Sequence, residues 1–253
     1  MPVENERKYL LKVEHGPVTA AAERCRSVLG AGTRVEQLQQ GWLDGTRARV
    51  RRVEADQASV RHVFTWKRMT GGRPIEIEQS IDPEDFSDLF AEAEERLSKW
   101  RLTPLRGGDE AWCLDLLPNS DGSACLAIAE VEMPEGRDHP RVLPSWLRFR
   151  LVHSVPRVGG WTNQNLAAPG AIDRAIVATR GLERVFERFP QLPHPLMAAL
   201  FTRLGGPATG TDDQDHALVE ALVAWITADS SNAARVRAAA VDALLGDRLQ
   251  AAS

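Results

Sequence analysis

Seven acids and six bases stand at alternating positions in short segments of β-type sequence: Glu4, Glu6, Glu76, Glu78, Asp115, Glu130 and Glu132 against Lys8, Arg49, Arg51, Lys67, Lys99 and Arg101. In an extended chain successive side chains point to opposite faces, so Glu4-Glu6-Lys8, Arg47-Arg49-Arg51, Glu76-Glu78, Lys99-Arg101 and Glu130-Glu132 each form one row. A single row of this kind is ordinarily a solvated surface. Recurrence over the first half of the chain changes the reading, because burying so many charges in a dry core would cost more than a domain can offset. The rows therefore line something wet. Clustered carboxylates hold Mg²⁺ or Mn²⁺ through oxygen, arginine forks and lysine ammoniums take phosphate oxygens, and the two together are the apparatus of phosphoryl transfer on a polyanion.

The segments that must position these groups are strands joined by turns and one or two helices. Residues 3–11 open with a charged strand. Residues 17–29 read as a helix of good helix formers with Gly30 and Gly32 past its end. Alternation returns over 41–53, carrying the arginines, and over 62–68, where Thr65 and Lys67 face one way and Phe64 and Trp66 the other. Thr70-Gly71-Gly72 marks a turn into 74–81, with Glu76 and Glu78 opposite Ile75, Ile77 and Ile81. Asp82-Pro83-Glu84-Asp85 is a helix-start signature, and Phe86, Leu89, Phe90, Ala93 and Leu97 follow as one apolar stripe. Strands over 98–102, 112–117, 124–133 and 148–155 complete the pattern. About eight strands with short connections suit a closed antiparallel barrel, charge within and apolar alternates outside beneath helices.

Composition narrows the function classes. A net charge of −4 provides no overall attraction to nucleic acid or to an anionic membrane, so affinity for anions must come from local clustering. No GxxxxGK[ST] or GxGxxG sequence is present, which argues against a P-loop or dinucleotide fold. Cys25, Cys113 and Cys125 lack CxxC spacing and read as small buried residues; the six histidines show no paired-ligand spacing. Apolar runs are too short for a membrane span and the chain runs directly into a charged strand, so the protein is expected to be cytoplasmic.

The ordered set Glu4-x-Glu6-x-Lys8, Arg49-x-Arg51, Thr65-Trp66-Lys67, Glu76-x-Glu78, Lys99-x-Arg101, Asp115 and Glu130-Val131-Glu132 resembles the triphosphate tunnel metalloenzymes, the CYTH superfamily. Pro144-Ser145-Trp146-Leu147 and Asn163-Gln164-Asn165-Leu166-Ala167 resemble the motifs that close that domain. The resemblance covers residues 1–168. It implies an α+β protein, a closed eight-stranded antiparallel β-barrel or tunnel with covering helices, that hydrolyses inorganic triphosphate or a related nucleoside or thiamine triphosphate with Mg²⁺ or Mn²⁺. It further implies that Glu4, Glu6 and Glu132 hold the metal, with Glu130 beside them and Asp115 in the same acidic set. Lys8, Arg49, Arg51, Lys67, Lys99 and Arg101 then grip phosphates, with Lys8 also counted among the catalytic groups. Glu76 and Glu78 orient or deprotonate the attacking water. The chain departs from the family at 153–161, where His153-Ser154-Val155-Pro156-Arg157-Val158-Gly159-Gly160-Trp161 replaces a basic-aromatic pair.

Residues 169–253 fall outside the resemblance. Helical patterns at 171–189, 195–204, 215–228 and 232–250 predict a bundle that packs on the barrel wall, joins two copies into a homodimer, or recruits a partner. Two functions compete with hydrolysis: cyclisation of ATP to cyclic AMP, and a non-catalytic sensor of polyphosphate or nucleotide that signals through the helical tail.

Overall fold

A computed structural model describes residues 6–43, 48–55, 59–70, 73–105, 110–134, 136–137, 140–148, 151–155 and 161–188. The alternation of charged and apolar residues becomes ten strands: β1 (Glu6–Leu11), β2 (Glu14–His15), β3 (Arg34–Trp42), β4 (Ala48–Ala55), β5 (Arg61–Thr70), β6 (Arg73–Ser80), β7 (Glu95–Thr103), β8 (Ala111–Pro118), β9 (Ala124–Glu132) and β10 (Leu151–Val155). They pair antiparallel in the order β10-β1-β9-β8-β7-β3-β4-β5-β6, with β2 on the side against β9.

The antiparallel sheet with a few helices is the expected α+β fold, and closure into an eight-stranded barrel is not seen among the described residues. The path is open, with β10 and β6 as its ends, and among the described residues no ladder joins them. Two boundaries also differ from those expected. Gly41 belongs to the last residues of β3 rather than opening the arginine strand, and Leu97 belongs to β7 rather than to the helix before it.

Helices cover one face of the sheet. Helix α1 (Val18–Leu29) lays Ala21, Ala22, Cys25 and Leu29 on Leu102, Leu114, Leu116, Ala127, Ala129 and Val131. The alanines of β9 and α1 let the helix approach closely, and burying these side chains contributes about 25 cal/mol per Å² of apolar surface. Helix α2 (Pro83–Glu92) starts at Asp82 and covers β3 to β5, with Phe86 stacked on Phe90 at 5.3 Å and against His62 at 4.9 Å. Glycine is required under it, since a Cβ at Gly41 would lie 2.8 Å from the Ala93 Cβ. A short helix α3 (Ser145–Arg148) follows β9. In α4 (Asn163–Ala167) the Thr162 hydroxyl caps the start by accepting from the Asn165 N–H at 3.1 Å.

Helix α5 (Ala171–Arg188) matches the first helix expected after residue 169. It buries Ala171, Ala175, Ile176 and Thr179, its Asp173 accepts from the Ser120 backbone and hydroxyl, and its Glu183 accepts from the Val13 N–H. This part of the helical region packs on the sheet. The helices expected at 195–204, 215–228 and 232–250 lie outside the described residues, as do most of the divergent segment 153–161 and Glu4. Among the described residues no helix is long and apolar enough to cross a membrane.

Candidate functional site

Register fixes which side chains meet on the face opposite α1 and α2. Lys8 lies across from Glu130 and Glu130 from Cys113; Glu6 lies across from Glu132; Arg101 from Asp115; Arg49 from Thr65, Thr65 from Glu78, and Lys67 from Glu76. All twelve of the described candidate residues share this face: Glu6, Lys8, Arg49, Arg51, Lys67, Glu76, Glu78, Lys99, Arg101, Asp115, Glu130 and Glu132. The apolar alternates Tyr9, Trp100, Trp112, Leu114 and Val131 point to α1.

The charges divide into two groups. On β1, β7, β8 and β9 they form a buried network. The Lys99 ammonium donates to Asp115 Oδ2 at 2.5 Å, and the Arg101 guanidinium donates to both Asp115 oxygens at 2.7 Å and to Glu130 Oε2 at 2.5 Å. Lys8 donates to Glu130 and pairs with Glu6 at 2.8 Å. Lys99 and Asp115 each retain 1% of side-chain exposure. Lys99, expected to grip phosphate, and Asp115, expected among the metal ligands, are thus tied to one another and shut off from solvent.

Electrostatics follow this geometry. Burial opposes ionisation of Asp115, but Lys99 and Arg101 override it and hold the carboxyl well below the usual carboxylate range. Burial likewise opposes the charge on Lys8, and Glu130 and Glu6 override it and raise its pKa. Arg101 is raised in the same way, against burial, chiefly by Asp115.

On β4, β5 and β6 the charges form a half-exposed ladder. Arg51 donates to Glu78 at 2.6 Å, Arg49 to Glu76 at 3.3 Å, the Thr65 hydroxyl to Glu78 at 3.2 Å, and Lys67 pairs with Glu76 at 3.4 Å. Exposure rises outward from 17% at Arg51 and 18% at Arg49 to 36% at Glu76 and 47% at Glu78. The Nε atoms of Arg49 and Arg51 are buried with no hydrogen-bond partner. Burial, reinforced by Arg49 and Arg101, lowers the pKa of Arg51, so its positive charge is held at a cost. Arg101 is close enough to weigh on Arg51, and the two groups of charges meet there.

Two positions on this face bring potential cation ligands together. The Cys113 thiol and the Asp115 and Glu130 carboxylates place one atom each within 4.8 Å of one another. Lys8, Lys99 and Arg101 already neutralise those carboxylates, and burial followed by Asp115 pushes the Cys113 thiol well above its ordinary range. A protonated thiol among paired carboxylates does not suit Mg²⁺ or Mn²⁺. Glu6 and exposed Glu132 fit better, being carboxylates directly opposite each other on neighbouring strands, where like charges repel unless a cation intervenes.

The sequence reading did not single out Thr65 or Cys113 as site residues. Thr65 sits in the Thr-Trp-Lys motif and its alternation with Lys67 carried the signal; nothing in the spacing marked Cys113.

Searches found no family model that matches this chain and no curated protein similar to it. Solved structures similar to it include two of NE1496, one described as a hypothetical protein and one as an inorganic triphosphatase. They are 21% and 20% identical, cover 65% and 66% of this chain and 97% and 95% of theirs, and have TM-scores of 0.40 and 0.41. HpAC1 from Hippeastrum, described as a candidate adenylyl cyclase with a dominant triphosphatase activity, is 14% identical, covers 52% of this chain and 80% of its own, and has a TM-score of 0.30. These are distant likenesses.

Proposed function

We propose that the charged face binds a small linear triphosphate and hydrolyses it with a divalent cation, as the resemblance to the triphosphate tunnel metalloenzymes implies. The observation that carries this reading is the pair of arginines on β4. Arg49 and Arg51 each keep a buried Nε–H without an acceptor, and Arg51 carries a positive charge that its surroundings disfavour. An unsatisfied buried donor costs about 1–3 kcal/mol, which a polyanion supplying oxygens along the row relieves. Arg49, Arg51, Lys67 and Arg101 reach the face from three strands, too wide a spread for one phosphate group and suited to a chain of them.

Lys8 lies beside Glu6 and Glu130 and brings a further cation to the metal side of the face. Bases and acids are paired across the face, so phosphates that occupy bases leave carboxylates in need of a cation. In this reading Glu6 and Glu132, with Glu4, hold Mg²⁺ or Mn²⁺, and Lys99 and Asp115 set the position of Arg101 rather than touching either ligand. The metal supplies charge neutralisation on phosphate oxygens. Glu76 and Glu78 are the candidate bases for the attacking water, since they are the most exposed carboxylates next to the arginines.

Incubation with tripolyphosphate, ATP and thiamine triphosphate plus Mg²⁺ or Mn²⁺, following phosphate and cyclic AMP, tests the proposal. Phosphate release from tripolyphosphate supports it. Cyclic AMP from ATP points to a cyclase, and binding without turnover points to a sensor.

A further inference from the structure

We infer that Glu76 and Glu78 occupy the phosphate positions of the site whenever substrate does not, acting as internal competitors that the substrate must displace. This rests on reading the face as a polyphosphate site and adds a role for these carboxylates that precedes any chemistry. The geometry is that of a ligand and its clamp. Glu78 accepts from the Arg51 guanidinium at 2.6 Å and from the Thr65 hydroxyl at 3.2 Å; Glu76 accepts from Arg49 at 3.3 Å and lies 3.4 Å from the Lys67 ammonium. Carboxylate and phosphate oxygens are recognised by the same arginine forks.

Three features favour displacement over a permanent pairing. Strand β6 is an end of the sheet's path, so its side chains are less constrained than those of inner strands. Glu76 and Glu78 are the exposed members of their pairs, 36% and 47%, while the arginines are 18% and 17% exposed. The carboxylates also leave the arginines incompletely satisfied, because both Nε atoms lack a partner. A triphosphate, with more oxygens and more charge, completes what two carboxylates cover in part. Displacement then turns Glu76 and Glu78 out of their ion pairs only when substrate is present, which ties the availability of two anionic groups to occupancy of the clamp.

The test is equilibrium binding of tripolyphosphate by calorimetry with chelator present, so that no divalent cation contributes. Removing the competitor should tighten binding about three- to ten-fold in Glu78→Gln and in Glu76→Gln, the scale set by breaking one exposed ion pair. Loss of a nearby negative charge would tighten binding too, and two controls separate the effects. Glu78→Asp keeps the charge but shortens the reach to Arg51, and should also tighten binding. In the Arg51→Ala background Glu78→Gln should change affinity less than about two-fold, because the pair it relieves is gone. Equal tightening with and without Arg51, or no tightening in Glu78→Asp, would leave only long-range charge and overturn the inference while the polyphosphate reading stands. No binding of tripolyphosphate by the native protein or any folded variant would overturn both, and unfolding curves recorded alongside identify the folded variants.

Discussion

The two charged groups use the same residue types on the same face, yet differ in what surrounds them. In the β1, β7, β8 and β9 network Glu6, Glu130 and Asp115 each have a cation against them, and Lys99 and Asp115 are sealed from water. In the β4 to β6 ladder the pairs are longer or more exposed and two arginine donors remain open. Saturated, buried pairs hold geometry because separating them leaves a stranded charge; loose, hydrated pairs exchange partners at little cost. Under the proposed function the first group is a scaffold that aims Arg101 and Lys8, and the second is the surface that meets the ligand.

The largest effect should come from breaking the scaffold. Asp115→Ala strands the buried Lys99 and leaves Arg101 with Glu130 alone, and is expected to destabilise the fold by about 3–5 kcal/mol in denaturant unfolding. Glu76→Gln, made in the ladder, should change stability by less than about 0.5 kcal/mol. A gap of under about 1 kcal/mol between the two variants would erase the distinction.

Acid sharpens the same contrast. Because Asp115 has a folded pKa depressed below its ordinary 3.8, its ionised form stabilises the native state at neutral pH. That contribution is intact above 3.8 and declines as pH falls from there through the lower folded value. Lys8 has the opposite sign: its folded pKa is raised above 10.5, so its contribution is complete below 10.5 and declines only as pH rises beyond it. The stability difference between the native protein and Asp115→Asn should therefore hold steady through neutral pH and shrink on acidification. A difference that shrinks already near neutrality would assign the effect to another group.

Arg51→Ala tests the ladder with an intermediate effect. Loss of charged hydrogen bonds to phosphate should weaken tripolyphosphate binding about ten- to hundred-fold. The fold should be unchanged or slightly firmer, since burial and Arg49 already disfavour this cation. A variant that loses stability and keeps its affinity would exchange the roles of the two groups.

Much of this arrangement was legible in the chain itself. Alternation placed Arg49, Arg51, Lys67, Glu76 and Glu78 on one face because β4, β5 and β6 are regular and their apolar partners strictly interleaved. It could not separate Lys99 from Lys67. Both are lysines one step from an aromatic residue, and the difference arises from Asp115, which faces Arg101 in the register and also reaches Lys99, and from the depth of β7 and β8 in the sheet. Strand β3 escaped notice because Glu36-Gln37-Leu38-Gln39-Gln40-Gly41 mixes polar residues on both faces; Gln37 and Gln39 are exposed while Gln40 is buried on the charged face. The open path of the sheet also left no mark, since strand number constrains closure only when the first and last strands find each other's hydrogen bonds.

The smallest effect belongs to Glu132. It lies directly across from Glu6, which Lys8 already engages, so the face holds two facing carboxylates with one ammonium shared by Glu6 and Glu130. Neutralising Glu132 relieves a like-charge pair, worth about 0.2–1 kcal/mol across neighbouring strands, and should raise the unfolding midpoint of the metal-free protein slightly. The same change removes an oxygen ligand with negative charge, so the further rise on adding Mn²⁺ should diminish. The two shifts have opposite signs in one variant, which separates a ligand from a structural partner. Should Glu132→Gln lower the metal-free midpoint and leave the Mn²⁺ response intact, Glu132 serves as a fixed ion-pair partner and the cation lies elsewhere on the face.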